Sequence, residues 1–115
     1  MIKERSIEFS VWIIETYKDL TSLKEYTLSK QLLRSGTAIG ALISEAEHAQ
    51  SKRDFLNKIN IALKEANETL YWLLLLKRTN YLTDLKYERL NDEATQLVKI
   101  LVSIVKTTKE RLGVL

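Results

Sequence analysis

The chain has 115 residues, a length typical of one domain with one hydrophobic core, so we expect a single domain over residues 1–115. It contains no cysteine, no proline and three glycines, which excludes disulfides and thiol chemistry and disfavours a sheet with many turns. Its 18 lysine and arginine residues against 15 acidic residues give a net charge of +3, which permits an acidic partner without identifying one.

Hydrophobic periodicity predicts two helices in the first half of the chain. The first covers about residues 2–20 and ends at residues 21–22. The second begins near residues 26–27 and ends near residues 50–51. Along this second helix a heptad-type seam runs at alternating four- and three-residue steps, through Leu28, Leu32, Ser35, Ile39, Leu42, Ala46 and Ala49.

Two further helices are predicted in the second half. Ser51 is a candidate N-cap for the third helix, with Asp54 as its matching acid three residues later, and this helix should end around residues 79–80. For the fourth helix, Asp84 is a candidate N-cap and Gly113 a candidate C-cap. Four helices with short connections predict an all-α, antiparallel up-down-up-down four-helix bundle.

Two of the three glycines lie inside the second helix. Gly36 and Gly40 each cost a helix about 1 kcal/mol relative to alanine, and with Ser44 they form a stripe of small residues at four-residue spacing. Such a stripe allows another backbone to approach closely. The approaching helix belongs either to the same bundle or to a neighbouring subunit.

Three stretches carry no charge on any face: residues 35–44, 69–76 and 100–105. A helix that is apolar all round is normally buried all round, and a chain this short has too little material to cover three such zones. We therefore expect a homo-oligomer. The candidate interface residues are Gly36, Gly40, Ser44, Tyr71 and Trp72.

Residues 31–76 carry a series of spaced motifs. A QL-R start is followed by a small-residue stretch with AI, then by an I-E pair, an S---F pair, an IA--E segment and YWL-LL. These positions are Gln31, Leu32, Arg34, Ala38, Ile39, Ile43, Glu45, Ser51, Phe55, Ile61, Ala62, Glu65, Tyr71, Trp72, Leu73, Leu75 and Leu76. On these motifs the chain resembles a bacterial four-helix-bundle family. That family includes the proteins encoded by intervening sequences of 23S ribosomal RNA genes and the accessory variability proteins of diversity-generating retroelements.

This resemblance implies an antiparallel bundle that assembles into a ring, commonly a pentamer. For the retroelement branch of the family it also implies nucleic-acid binding. Many members carry asparagine where this chain has Leu42, so the resemblance gives no polar role to that position here.

No constellation of residues in the sequence indicates catalysis. His48 is the only histidine, and without cysteine it cannot form a metal cluster or a Cys/His pair. Glu65 and Glu68 have the i, i+3 spacing of magnesium ligands in some helical hydrolases, but Lys64 lies four residues before Glu68 and favours an ordinary surface pair. Phosphate-binding glycine motifs are also absent. We therefore expect no enzyme activity, no metal and no cofactor.

Lysine and arginine recur near the predicted helix ends. Six are candidate phosphate contacts: Lys30, Arg34, Lys52, Arg53, Lys99 and Lys106, with Lys109 and Arg111 beyond them. In a ring each patch repeats around an axis into a positive band, whereas in a monomer the same residues are a solubilising scatter. Arg34 has an alternative role as the ion-pair partner of Glu45 or of another acid at a subunit contact. No aromatic-rich basic segment is present, so contacts to bases are not expected.

Two functions from different classes stay open. The first is a non-catalytic oligomeric protein, a homopentamer as the resemblance implies, that binds RNA or DNA through phosphates with little sequence preference. The second is a scaffold for another protein, such as a reverse transcriptase encoded nearby. Apolar runs in the sequence are too short to span a bilayer, so no membrane partner is expected, and the lack of cysteine fits a cytoplasmic location.

Overall fold

Four α-helices form the computed structural model, which describes residues 1–114. They are α1 (Ile2–Ser22), α2 (Leu28–Ala46), α3 (Lys52–Arg78) and α4 (Asp84–Leu112). Each helix packs against the next in chain order, and α4 closes the bundle against α1. The described residues contain no strand, so the predicted all-α four-helix bundle is confirmed.

The first connection lies later in the chain than predicted. The first helix ends at Ser22, within the predicted residues 21–22, but Thr21 and Ser22 do not interrupt it, because both are in the last turn of α1. Their hydroxyl groups each donate to the carbonyl oxygen of Lys18 at 3.0 Å, which satisfies them inside the helix. The chain turns instead at Lys24, whose φ of 64° is left-handed.

The second helix ends one turn earlier than predicted, at Ala46. The backbone N–H groups of His48 and Ala49 each donate to a carbonyl oxygen three residues back, which tightens the chain into a turn. Ala49, the last residue of the predicted seam, therefore lies outside the helix.

The predicted start of α3 is confirmed in detail. Ser51 is the N-cap, and its hydroxyl oxygen accepts the backbone N–H of Asp54 at 3.0 Å. The Asp54 carboxylate in turn accepts the backbone N–H of Gln50 at 3.1 Å. The two side chains thus satisfy backbone donors at the helix start in the manner of a capping box.

The predicted start of α4 is wrong by one residue. The N-cap is Thr83, whose hydroxyl oxygen accepts the backbone N–H of Lys86 at 3.2 Å, and Asp84 is the first residue of the helix. There the carboxylate of Asp84 lies at the positive end of the helix dipole, which is also favourable. The predicted C-cap at Gly113 is confirmed by its left-handed φ of 73°.

The core is a stack of apolar side chains contributed by all four helices. Its largest fully buried members include Phe9, Ile13, Leu32, Ile39, Leu73, Leu97 and Leu101. One buried polar contact joins α2 to α3, where the Thr69 hydroxyl lies 2.9 Å from the Ser35 hydroxyl and also donates to the Glu65 carbonyl at 2.8 Å. This contact favours one register of α2 against α3, because a slip would leave the Ser35 hydroxyl buried without the Thr69 partner.

The two helical glycines face α1 of the same chain. A Cβ atom built on Gly36 would lie 2.8 Å from a side-chain carbon of Ile13, which is fully buried. A Cβ on Gly40 would lie 3.3 Å from the Ser10 hydroxyl. Of the two alternatives for the approaching helix, the same bundle therefore accounts for Gly36, which is buried and does not reach the surface.

The bundle is elongated, at 48 × 22 × 21 Å. We call the end that holds the α1–α2 loop (residues 23–27) and the α3–α4 loop (residues 79–83) the loop end. The opposite end, with the α2–α3 turn (residues 47–51), the start of α1 and the last turns of α4, is called the terminal end. None of the helices in residues 1–114 combines the length and apolar character needed to cross a bilayer.

Candidate nucleic-acid interface

Arg34 is paired inside the chain. Its guanidinium donates to a Glu65 carboxylate oxygen at 3.1 Å and forms a second ion pair with Glu68, so one arginine on α2 joins two acids one turn apart on α3. Glu45, the partner predicted from the sequence, instead pairs with Lys58, with 3.7 Å between the Glu45 carboxylate oxygen and the Lys58 Nζ. Of the two roles considered for Arg34, the geometry favours the structural role as an ion-pair partner. The acids that it pairs with belong to the same chain and not to a neighbouring subunit.

The two acids considered as magnesium ligands are occupied by this contact. Glu68 also accepts the indole N–H of Trp72 at 3.0 Å. Residues 1–114 contain no group of three or more His, Cys, Asp or Glu side chains that could hold a metal ion. Glu65 and Glu68 are thus members of an interhelical clamp with Arg34 and Trp72, and Lys64 is not their partner.

A cluster of cations lies at the terminal end. Lys52 and Arg53 occupy the first turn of α3 and are exposed, and Lys106 lies on the exposed side of α4 near its end. Because α3 and α4 are antiparallel neighbours, these residues lie at the same end of the bundle as Lys109 and Arg111. We call Lys52, Arg53, Lys106, Lys109 and Arg111 the terminal basic cluster. Among the described residues none of these five forms an ion pair.

Part of this cluster lacks a structural explanation. Lys109 and Arg111 lie near the negative end of the α4 dipole, where cations stabilise a helix. Lys52 and Arg53 instead lie at the positive end of the α3 dipole, where cations are unfavourable. Lys52 and Arg53 therefore do not stabilise α3. Their charges add to the positive potential of the exposed N–H groups at the start of this helix.

The outward face of α4 changes sign along its length. Glu88 and Asp92 are exposed in the first half of the helix, and Lys99 and Lys106 are exposed in the second half. Lys99 and Lys106 are seven residues apart and share one face, which separates them by about 10 Å along the axis. The positive part of this face therefore continues into the terminal basic cluster.

Lys30 does not join the other predicted contacts. It is exposed on α2 close to the loop end, and α2 does not contact α4. The six predicted residues thus fall into three places: Lys30 near the loop end, Arg34 in the clamp, and Lys52, Arg53, Lys99 and Lys106 toward the terminal end.

The contact between α1 and α4 is held by charged groups. Arg5 donates through Nε and Nη2 to the two Glu93 carboxylate oxygens at 3.0 and 2.8 Å. These hydrogen bonds and the charge of Glu93 raise the pKa of the Arg5 guanidinium. Farther along, the Arg89 guanidinium lies 3.9 Å from the centre of the Trp12 ring. Both arginines are thus engaged in fastening α1 to α4.

A second surface is uncharged and partly apolar. Ile7, Val11 and Ile14 follow one another on one side of α1, and each is at least 40% exposed. Ser10 lies between them on the helix and contacts Gly40 of α2, whose exposed neighbours include Ala41 and, half-exposed, Ser44. We call this surface the α1–α2 face. Of the predicted interface residues it contains Gly40 and Ser44.

The remaining predicted interface residues lie elsewhere. Tyr71 is 54% exposed on α3, and its ring contacts the half-buried ring of Trp72 edge to face at 5.2 Å. Sequence reasoning also missed a pair of exposed tyrosines, Tyr26 and Tyr81, one in each loop of the loop end. They are far apart in the chain, so the sequence contains no aromatic-rich segment that would indicate them.

Comparisons with known proteins agree with this fold. The profile of the family described as 23S rRNA-intervening sequence protein matches residues 1–103. The chain therefore belongs to that family, as its motifs predicted. A crystal structure of a protein of unknown function from the S23 ribosomal protein family of Bacteroides thetaiotaomicron VPI-5482 is 57% identical, with a TM-score of 0.91 over 92% of this chain and 99% of that chain. No curated protein matches the sequence.

Proposed function

We propose that the chain is a non-catalytic, oligomeric protein that binds RNA or DNA through phosphates, with little sequence preference. The terminal basic cluster carries this proposal. Its cations are free of acidic partners among residues 1–114, and Lys52 and Arg53 lie where they do not help the helix. Cations of this kind attract a phosphate backbone and release its counterions on binding.

The proposed assembly is a homopentamer held through the α1–α2 face. A surface that exposes Ile7, Val11 and Ile14 beside small side chains is a typical buried contact between subunits. In a closed ring each terminal basic cluster would repeat around the axis, so a modest patch on one subunit would become a continuous positive band.

Assembly is tested by light scattering. We expect a particle of about five times the 13.3 kDa of one chain. Val11→Lys should break it into smaller species, because a charge would be buried at the contact. Val102→Lys on α4 is the matched control, since Val102 is 49% exposed and Val11 is 43% exposed. A wild-type monomer at micromolar concentration would contradict the assembly.

The phosphate contact is tested by two lysine variants of α3. Lys52→Ala removes a free cation of the cluster, and Lys58→Ala removes one that Glu45 already balances. We expect Lys52→Ala to weaken binding about equally for all sequences. It should also flatten the salt dependence by roughly 0.7 for a single strand, or roughly 0.9 for duplex DNA, for each phosphate that it no longer neutralises. Lys58→Ala should leave that slope unchanged. Equal slopes for both variants and the wild type would remove Lys52 from the interface.

The second candidate function is a protein scaffold. The α1–α2 face could receive another protein, such as a reverse transcriptase, in place of a second copy of this chain, and its exposed apolar residues favour this candidate. The two candidates differ in their response to nucleic acid, because a scaffold of this kind binds its partner without binding RNA or DNA.

A further inference from the structure

The loop end presents two tyrosine rings to solvent. Tyr26 in the α1–α2 loop is 56% exposed, and Tyr81 in the α3–α4 loop is 37% exposed. Neither hydroxyl group is hydrogen-bonded to another described residue. Because the bundle is antiparallel, the two loops and their tyrosine rings lie at the same end of the bundle.

The backbone that carries Tyr26 is tightly held. Beside it, the Glu25 carboxylate is 9% exposed and accepts the backbone N–H groups of Thr27 at 3.3 Å and Ser29 at 2.6 Å. This carboxylate stabilises the start of α2 and is turned away from solvent. The ring of Tyr26 is therefore presented from an ordered loop, so little conformational entropy is lost when it contacts a ligand.

The backbone of Tyr81 is held equally well. Its N–H donates to the Leu76 carbonyl at 2.9 Å, and the next residue, Leu82, is buried in the core. The left-handed Asn80, with φ of 67°, turns the chain just before the ring. Both tyrosines are thus preorganised without being packed into the bundle.

Free cations lie at the same end of the bundle as these rings. Lys24 and Lys30 are exposed on one loop and the adjoining turn of α2, and Arg78 is exposed at the end of α3. Among residues 1–114 none of the three forms an ion pair. Glu25 is engaged by backbone N–H groups. Asp84 at the start of α4 is exposed, but the three free cations outnumber it, so the exposed charge of the loop end is mainly positive.

We propose that the loop end binds unpaired nucleotides of a single-stranded nucleic acid, with bases stacked on Tyr26 and Tyr81 and phosphates on Lys24 and Arg78. This proposal rests on the proposed nucleic-acid-binding function. Every base has a face that stacks on an aromatic ring, and the backbone beside it supplies the negative charge that the cations match. A binding surface of this kind is tolerant of sequence.

The two ends of the bundle therefore differ in what they recognise. The terminal basic cluster has cations but no exposed aromatic ring nearby among the described residues, since Phe55 is packed against the core. It contacts phosphates of either a duplex or a single strand. The loop end adds stacking, which a duplex cannot offer because its bases already stack on each other.

The test is fluorescence anisotropy with labelled oligouridylate, oligothymidylate and a duplex of the same length. We expect the double variant Tyr26→Ala/Tyr81→Ala to bind both single strands at least about tenfold more weakly, with the duplex affected less than about twofold. The double variant Tyr26→Phe/Tyr81→Phe should keep wild-type affinity, because phenylalanine retains the stacking face. Tyr71→Ala is the control, as Tyr71 is also exposed but lies on α3 away from the loops. Comparison of the uridylate and thymidylate arms separates RNA from DNA.

Two outcomes would overturn this inference. If the alanine double variant melts like the wild type and binds single strands with unchanged affinity, the rings do not stack on bases. The exposed tyrosines would then favour a protein partner at the loop end. If it weakens single strand and duplex equally, its effect is not stacking. In both cases the wild type binds nucleic acid and the proposed function stands. A wild-type protein that binds none of the three probes overturns the proposed function as well.

Discussion

Gly36→Leu is expected to lower the free energy of unfolding by more than about 3 kcal/mol, a large part of the stability of a small domain. A Cβ atom alone would lie 2.8 Å from Ile13, and the leucine side chain extends farther into the same space. Ile13 is fully buried, and a side chain in a close-packed core is costly to displace. Chemical denaturation followed by circular dichroism measures the effect.

Gly40→Ala, which adds only a methyl group at the second helical glycine, is the comparison variant for this prediction. Its Cβ would lie 3.3 Å from the Ser10 hydroxyl and 3.4 Å from the Ser6 carbonyl oxygen, which are tight contacts without overlap, and alanine improves helix propensity by about 1 kcal/mol. We expect its stability to stay within about 1 kcal/mol of the wild type. If Gly36→Leu and Gly40→Ala proved equally stable, the close contact between α1 and α2 at Ile13 would not explain the glycine.

Arg34→Ala is expected to destabilise the bundle by about 1–2 kcal/mol, between the values for exposed and buried ion pairs. It would remove the only cation that pairs with Glu65 and Glu68 among residues 1–114, and leave two partly buried acids one turn apart. A thermal melt detects this destabilisation. Lys30→Ala, four residues earlier on α2 and free of ion pairs in the described chain, should change stability by less than about 0.5 kcal/mol.

The same Arg34→Ala variant separates the two roles considered for this residue. A structural arginine leaves the salt slope of nucleic-acid binding unchanged in the fraction that stays folded. A phosphate contact would instead flatten that slope and leave the melting temperature as in the wild type. The second pattern would contradict the clamp.

Much of the fold follows from local chemistry in the sequence. Ser51 with Asp54, and Gly113 at the end of α4, set their helix ends by contacts within a few residues, and such contacts can be predicted from sequence alone. The predicted start of α4 is wrong by one residue because Thr83 and Asp84 are both good N-cap residues. Only the backbone geometry decides that Thr83 reaches the N–H of the third residue beyond it.

The candidate sites depend more on the tertiary arrangement. Glu45 lies on the same helix as Arg34 but about three turns away, whereas Glu65 and Glu68 come from the facing helix, and sequence alone does not say which faces meet. Tyr26 and Tyr81 lie at the same end of the bundle only because the α1–α2 and α3–α4 loops both turn there. Periodicity predicts the helices, but contacts between residues distant in sequence require the packed bundle.

Phosphate binding by the assembled protein is tested most directly by titrating the wild-type chain with RNA and DNA at salt concentrations between about 50 and 300 mM. We expect binding to both, with little dependence on sequence and with log affinity falling linearly against log salt, because cations of the terminal basic cluster displace counterions from phosphates. Absence of binding to either nucleic acid at about 50 mM salt, where such attraction is strongest, would contradict this function and favour the protein scaffold.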